Sequence, residues 1–117
     1  MFFFLSMPFN ETIADRIREA LLPFSKHIEE KRMFGGVAFM YKNKMSCGVV
    51  KDELMIRILD EPYQKEIEGP HTREMDFTKR PMKGFMYVQQ EGFKTRKELD
   101  KWIAYGIEHA EMASKKK

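Results

Sequence analysis

The spacing of apolar residues between positions 33 and 58 constrains the fold of this chain most strongly. Three short runs there are rich in apolar residues, and Val37, Phe39 and Tyr41 of the first run face one way at a period of two, which is the pattern of strands. The links between the runs, around Asn43 and at Lys51–Asp52, are about two residues long and are too short for a parallel crossover. The pattern therefore predicts an antiparallel meander.

Apolar residues at helical spacing flank the meander on both sides. Asn10 is a suitable N-cap for a first helix, whose apolar positions recur as far as Phe24. Near the other end, Thr95 and Glu98 fit a capping box, and Trp102 lies on the apolar seam that follows. We therefore predict one helix before the meander and one that closes the domain.

The region between the meander and the last helix adds a short helix and a pair of strands. The short helix starts near Asp60 and stops at Gly69–Pro70, and a strand then covers 84–88 with 75–77 as a brief partner. Residues 26–32 are interpreted as a charged connector. The predicted fold is an α+β domain of order α-β-β-β-α-β-β-α, with a largely antiparallel sheet and helices packed on one face.

The length of 117 residues is that of one domain, so we expect a single domain with an apolar N-terminal extension, 1–9, and a basic tail, 114–117. The extension lacks the basic start and cleavage site of a signal peptide, and it is far shorter than the roughly 20 residues of a membrane span. Met1 and Met7 are alternative natural starts. Since Cys47 is the only cysteine, no internal disulfide forms, and we expect a cytoplasmic protein with no membrane partner.

The net charge gives little support to nucleic-acid binding. The formal charge is +3, and the three lysines of the tail, Lys115–Lys117, account for it. The body of the domain is then neutral, so its overall charge does not favour a nucleic-acid partner.

The residues with catalytic potential lack the neighbours that catalysis needs. Cys47 and His71 are a candidate thiolate–imidazole pair, but Cys47 lies in mid-strand and no third group is apparent to orient the imidazole. The three histidines lack the paired spacing of a metal site, and Gly35–Gly36 opens onto a strand, whereas phosphate-binding loops open onto a helix. We therefore expect no catalytic residue, no metal and no cofactor.

Four glycines are expected to have structural roles. Gly35 and Gly36 open the first strand of the meander, Gly48 interrupts the second, and Gly84 begins the last predicted strand. Glycine within a strand is typical of a bulge, a bend or the close approach of another backbone.

The best candidate for a binding site is the basic segment 73–84. It contains Arg73, Lys79, Arg80 and Lys83, and the alternation of the third strand points Arg57 off the core face towards them. Such a cluster is suited to a carboxylate or phosphate group of a partner. The alternative is a solvated loop with scattered ion pairs.

Several short segments, in order and at compatible distances, resemble the TfoX (Sxy) N-terminal domain family. The resemblance spans about Thr12 to Ala113 and rests on these segments: Arg32-Met33-Phe34-Gly35-Gly36-Val37, Lys44-Met45-Ser46-Cys47-Gly48-Val49-Val50, Pro70-His71-Thr72-Arg73, Met75-Asp76-Phe77, Arg80-Pro81-Met82-Lys83-Gly84 and the helix with Leu99 and Trp102. Glu74 and Lys79 depart from the proline and glycine of the family pattern.

The resemblance implies a mixed α/β domain similar to secretion-chaperone-like folds, with no known enzymatic activity. Full-length members carry a second, helical domain and act with the cyclic-AMP receptor protein to switch on competence genes, whereas this chain stops after the first domain. We therefore expect a non-enzymatic, regulatory interaction domain that acts through protein partners and forms a homodimer as one option. The alternative is a nucleic-acid-associated accessory protein that uses the basic loop 73–83.

Overall fold

The computed structural model describes residues 10–33, 35–74 and 84–115. The α+β class predicted from the sequence is confirmed. In chain order the elements are α1 (Glu11–Ala20), β1 (Ile28–Met33), β2 (Gly36–Tyr41), β3 (Lys44–Val50), β4 (Glu53–Arg57), α2 (Asp60–Glu66), β5 (Thr72–Glu74), β6 (Phe85–Val88) and α3 (Arg96–Lys115). Two 3-10 turns, Leu22–His27 and Gln90–Phe93, precede β1 and α3.

The six strands of the described residues form one antiparallel sheet of order β1-β2-β3-β4-β6-β5. The meander has the tight links that the sequence predicts. Lys42 and Asn43 both take positive φ, 53° and 68°, between β2 and β3, and Lys51 takes φ 54° before β4. Positive φ in successive residues matches the twist of a two-residue hairpin, so the Lys42–Asn43 link holds β2 and β3 in register.

The prediction of a charged connector at 26–32 is wrong for most of its length, because β1 begins at Ile28. β1 pairs with β2 from Ile28 opposite Tyr41 to Met33 opposite Gly36, so four strands precede α2 in the described chain where three were predicted. β1 is an edge strand with charged residues on both sides, and its sequence therefore lacks the apolar alternation that reveals a half-buried strand. The partner predicted at 75–77 lies outside the described residues, and Thr72–Glu74 pairs with β6.

The three described helices pack on one face of the sheet, here called the front face, as predicted. Ile17 of α1 and Trp102 of α3 share one apolar core with the front side chains of the strands. Those strand side chains are Val37, Phe39, Cys47, Val49, Leu54, Ile56, Met86 and Val88. This single large core is the main source of stability for a domain of this size.

Helix α3 approaches β3 closely at Gly106, and it begins with a capping box. A Cβ added at Gly106 would lie 2.5 Å from the backbone oxygen of Ser46, so only glycine permits this approach. The predicted capping box is present, since the Thr95 N–H donates to Glu98 Oε1 at 3.0 Å and the Glu98 N–H donates to Thr95 Oγ1 at 3.1 Å. In the described part of the chain, no helix has the length and apolar character needed to cross a bilayer.

Candidate functional site

The face of the sheet opposite the helices, here called the rear face, carries a second and much smaller apolar cluster. Ala38, Met55 and Tyr87 form its buried floor, with 0%, 1% and 7% of their surfaces exposed. Met45, Val50 and Phe85 are partly buried around that floor. Side chains alternate along a strand, so the rear-face residues are the sequence neighbours of the front-face core.

Arg57 and Phe85 form an arginine–aromatic stack on the rear face. They lie opposite each other in β4 and β6, and the guanidinium carbon is 4.3 Å from the centre of the Phe85 ring. Burial lowers the pKa of Arg57 from its ordinary value, although a guanidinium stays charged at neutral pH. Gly84, which has φ 81°, lies next to the Arg57 side chain. A Cβ added at Gly84 would sit 3.4 Å from Arg57 Nη1.

Arg73 and Tyr87 form a second stack beside the first. Arg73 of β5 lies opposite Tyr87 of β6, with its guanidinium carbon 4.4 Å from the ring centre. The same guanidinium donates to both carboxylate oxygens of Glu53, at 3.0 and 2.5 Å. Arg73 therefore reaches across the Tyr87 ring to Glu53 of β4. A bidentate ion pair of this kind fixes the orientation of the arginine and the glutamate.

The structure brings together two of the five predicted binding residues. Arg57 and Arg73 lie on the same face, on either side of β6. Lys79, Arg80 and Lys83 lie outside the described residues. The binding role predicted for this set stays a prediction.

Sequence reasoning missed Phe85, Tyr87 and Glu53 as parts of this site. The alternation of β6 separates Phe85 and Tyr87 from the core residues Met86 and Val88, and that signal was available. The pairing of each ring with an arginine depends on the register between β4, β6 and β5, which sequence spacing does not specify.

The four glycines occupy positions where a side chain is disfavoured. Gly35 takes φ 74° in the link between β1 and β2, and Gly84 also has positive φ. Gly36 and Gly48 lie in β2 and β3, where an added Cβ would clash with the backbone oxygens of Val49 and Val37. These residues therefore shape the sheet and are not ligand-binding groups by themselves.

Cys47 and His71 do not form a pair. Cys47 lies on the front face with no exposed surface, and burial raises the pKa of its thiol to about 12. His71 precedes β5, so β4 and β6 separate it from the strand that carries Cys47. Among residues 10–33, 35–74 and 84–115, no three acidic, histidine or cysteine side chains are grouped to hold a metal ion.

A cavity of about 630 Å³ lies between α1 and the turn before α3. Its lining mixes both signs of charge, with Arg16 and Lys94 facing Asp52, Glu53 and Glu91. Arg16 is engaged there, since its Nη2 donates to the backbone oxygens of Phe93 and Lys94 at 2.7 and 3.1 Å. The cavity therefore lacks the single sign of charge that concentrates a charged ligand.

Comparison with protein families gives a match to the TfoX N-terminal domain over residues 19–110, which is most of the chain. The matched region contains all six strands of the sheet and most of α3. Comparison with curated proteins gave no match.

Proposed function

This chain belongs to the TfoX N-terminal domain family, and from that premise we propose that it is a regulatory interaction domain that binds a protein partner through the rear face. The observation that carries the proposal is the pair of arginine–aromatic stacks, Arg57 on Phe85 and Arg73 on Tyr87, next to a methionine-containing apolar cluster. The front face is occupied by the domain's own helices.

The residue types of the rear face support a protein partner. Aromatic residues, methionine and arginine are enriched in the cores of protein–protein interfaces, and arginine and tyrosine dominate their binding energy. Met45, Val50 and Phe85 are partly buried, so each offers apolar surface that a partner would cover. Methionine side chains also adapt their shape to what they contact.

The stacked arginines support binding in a second way. A long side chain loses rotamer freedom when a complex orders it, and this loss weakens affinity. Stacking on Phe85 already restricts Arg57, and the two hydrogen bonds to Glu53 already restrict Arg73. Less ordering remains to be done when the partner binds.

In this proposal the chain acts on gene expression through its partner, as the family's competence regulators do, and does not itself read DNA. The ion pair between Arg73 and Glu53 offsets the charge that a phosphate would meet on this face. The described part of the rear face is therefore better suited to a protein than to a nucleic-acid backbone.

Photo-cross-linking in bacterial cells tests the proposal. A benzoylphenylalanine placed at Phe85 reports on the rear face, and one placed at Met112, an exposed apolar residue of α3, is the matched control. We expect a discrete cross-linked protein from position 85 and not from position 112. Equal products from both positions, or none from position 85, would contradict binding through the rear face.

A titration with duplex DNA separates the proposal from nucleic-acid association. Phosphate contacts make the logarithm of the affinity fall linearly with the logarithm of salt concentration. We expect no such binding by a variant that lacks Lys115–Lys117. Salt-dependent binding that survives this deletion and weakens in Arg57→Ala would favour the nucleic-acid alternative.

A further inference from the structure

The outer edge of β1 has the features of a self-pairing strand. β1 ends the sheet, and in the described part of the chain no strand pairs with its outer side. It is six residues long, Ile28-Glu29-Glu30-Lys31-Arg32-Met33, and residues 29–32 are exposed. An edge strand of this length is a template for pairing with another chain unless its residues oppose it.

The hydrogen bonds to β2 determine which backbone groups of β1 point outwards. The Lys42 N–H donates to the His27 oxygen at 3.1 Å, and the register continues with Ile28 opposite Tyr41. In an antiparallel ladder the hydrogen-bonded positions alternate, so 29, 31 and 33 bond to β2. The backbone N–H and C=O groups of 28, 30 and 32 therefore point away from the sheet.

Two-fold symmetry restricts how two copies of β1 can pair. An axis perpendicular to the sheet keeps the front faces of both copies on the same side, so one residue must lie opposite itself. If that residue is Glu30, positions 28, 30 and 32 form hydrogen-bonded pairs with 32, 30 and 28 of the second copy. If it is Lys31, the outward groups of 28 fall opposite a position beyond the end of the strand.

The charges of β1 complement each other in the register centred on Glu30. Glu29 then lies opposite Lys31 of the second copy on the rear side, and the same pair recurs through the symmetry axis. Opposite charges directly across two strands are stabilising. The central Glu30 pair is on the front side, where each carboxylate already accepts from Arg18 Nε at 2.7 Å and Nη2 at 2.9 Å, which offsets their mutual repulsion.

We propose that this chain forms a homodimer in which β1 pairs antiparallel with β1 of a second copy, centred on Glu30. The sheet becomes continuous through both copies, and Arg32 of one copy lies opposite Ile28 of the other. Ile28, Leu21 and Phe39 line a cavity of about 470 Å³. The alkyl stem of Arg32 from the second copy can cover this cavity. This inference does not depend on the rear-face partner.

Sedimentation velocity of the full chain over a range of concentrations tests the homodimer. We expect a monomer–dimer equilibrium, weakened about tenfold or more in Lys31→Glu, because the variant places Glu29 opposite another glutamate. The double exchange Glu29→Lys with Lys31→Glu reverses every pair and restores the dimer. Lys97→Glu, on exposed α3, is the charge-matched control and leaves the equilibrium unchanged.

Three results would overturn the homodimer through β1. They are a monomer at every concentration, a dimer unaffected by Lys31→Glu, and a double exchange that fails to restore pairing. Circular dichroism of each variant verifies that the domain is folded. Arg57→Glu distinguishes this dimer from one formed through the rear face, since only the latter would be lost.

Discussion

Ile56 and Met55 are neighbours in β4, both fully buried, yet they lie on opposite faces of the sheet and in different surroundings. Ile56 belongs to the large core that α1, α3 and four strands share on the front face. Met55 belongs to the three-residue floor of the rear face. The difference teaches that the two faces of one sheet are unequal, because the front face supplies most of the apolar packing and the rear face, which we propose as the binding surface, has only a small cluster.

Labelling of Cys47 should give the largest effect, a difference in reaction rate between the native and the denatured chain. It reports whether the core on the front face opens. A thiol reagent at pH 8 should modify Cys47 only when the whole domain unfolds, because the thiol has no exposed surface and burial raises its pKa to about 12. The expected rate is orders of magnitude below that of the denatured chain, which is the control. Fast labelling of the native protein would contradict a closed front core.

The same thiol gives a pH dependence with a defined sign. Its pKa in the folded chain is raised, so its contribution to stability is present below the ordinary pKa of a cysteine. That contribution is lost as the pH rises towards about 12. Denaturant unfolding should therefore show a loss on the alkaline side that Cys47→Ala reduces.

The paired variants Ile56→Ala and Met55→Ala test the two faces directly. Truncation of Ile56 should cost about 2–5 kcal/mol in the free energy of unfolding, because it leaves a cavity between the sheet and the helices. Met55→Ala should cost at least about 1 kcal/mol less, since its cluster is small and methionine neighbours can readjust. Equal costs in urea titrations would show that the rear floor is as tightly packed as the front core.

Gly106→Ala tests the close contact between α3 and β3 by the sign of its effect. On an exposed helix this change should stabilise by about 1 kcal/mol. Here the added Cβ would lie 2.5 Å from the Ser46 oxygen, so we expect a loss of about 1–3 kcal/mol in thermal or urea unfolding. Ala104→Gly, at an exposed position of the same helix, is the control for helix propensity.

Thr95→Ala should weaken the start of α3 by about 1 kcal/mol, because the capping box loses the hydroxyl that accepts from the Glu98 N–H. The hydrogen bonds from Thr95 lower the pKa of Glu98. Glu98 therefore contributes stability above its ordinary pKa, and that contribution is lost as the pH falls through the lowered value. Glu98→Gln should flatten the acid side of the stability curve, and an unchanged curve would contradict this assignment.

Arg57→Gln should have the smallest effect on stability. The stack on Phe85 is partly solvated, so its loss should cost about 0.5–1 kcal/mol in urea unfolding. Arg96→Gln, an exposed arginine at the start of α3, is the matched control. A cost as large as that of Ile56→Ala would place Arg57 among the residues that hold the fold together and would remove the contrast between the faces.

Local signals predicted most of the fold. The hairpin links, the Asn10 cap and the Thr95–Glu98 capping box each depend on residues within about four positions, and all are present. β1 was missed because an edge strand needs no apolar alternation and its charged residues are those of a loop. Its strand character comes from pairing with β2.

The candidate site was predictable only in part. The alternation of β4 places Arg57 off the core face, and that inference needs no structure. The stacks on Phe85 and Tyr87 arise from register across strands that are separated by 28 positions along the chain in one case and by 14 in the other. Such contacts depend on which strands are neighbours in the sheet. β5 precedes β6 along the chain, but β6 lies next to β4 in the sheet and β5 lies at the edge.

The most direct test of the division between the faces measures partner binding and stability in the same variant. A photo-cross-linker at Val50, which lies on the rear face away from Arg57, reports binding with and without Arg57→Glu. The division predicts a cross-linking yield about tenfold lower in Arg57→Glu, with the free energy of unfolding changed by no more than about 1 kcal/mol. An unchanged yield, or a yield that falls only in step with unfolding, would contradict it.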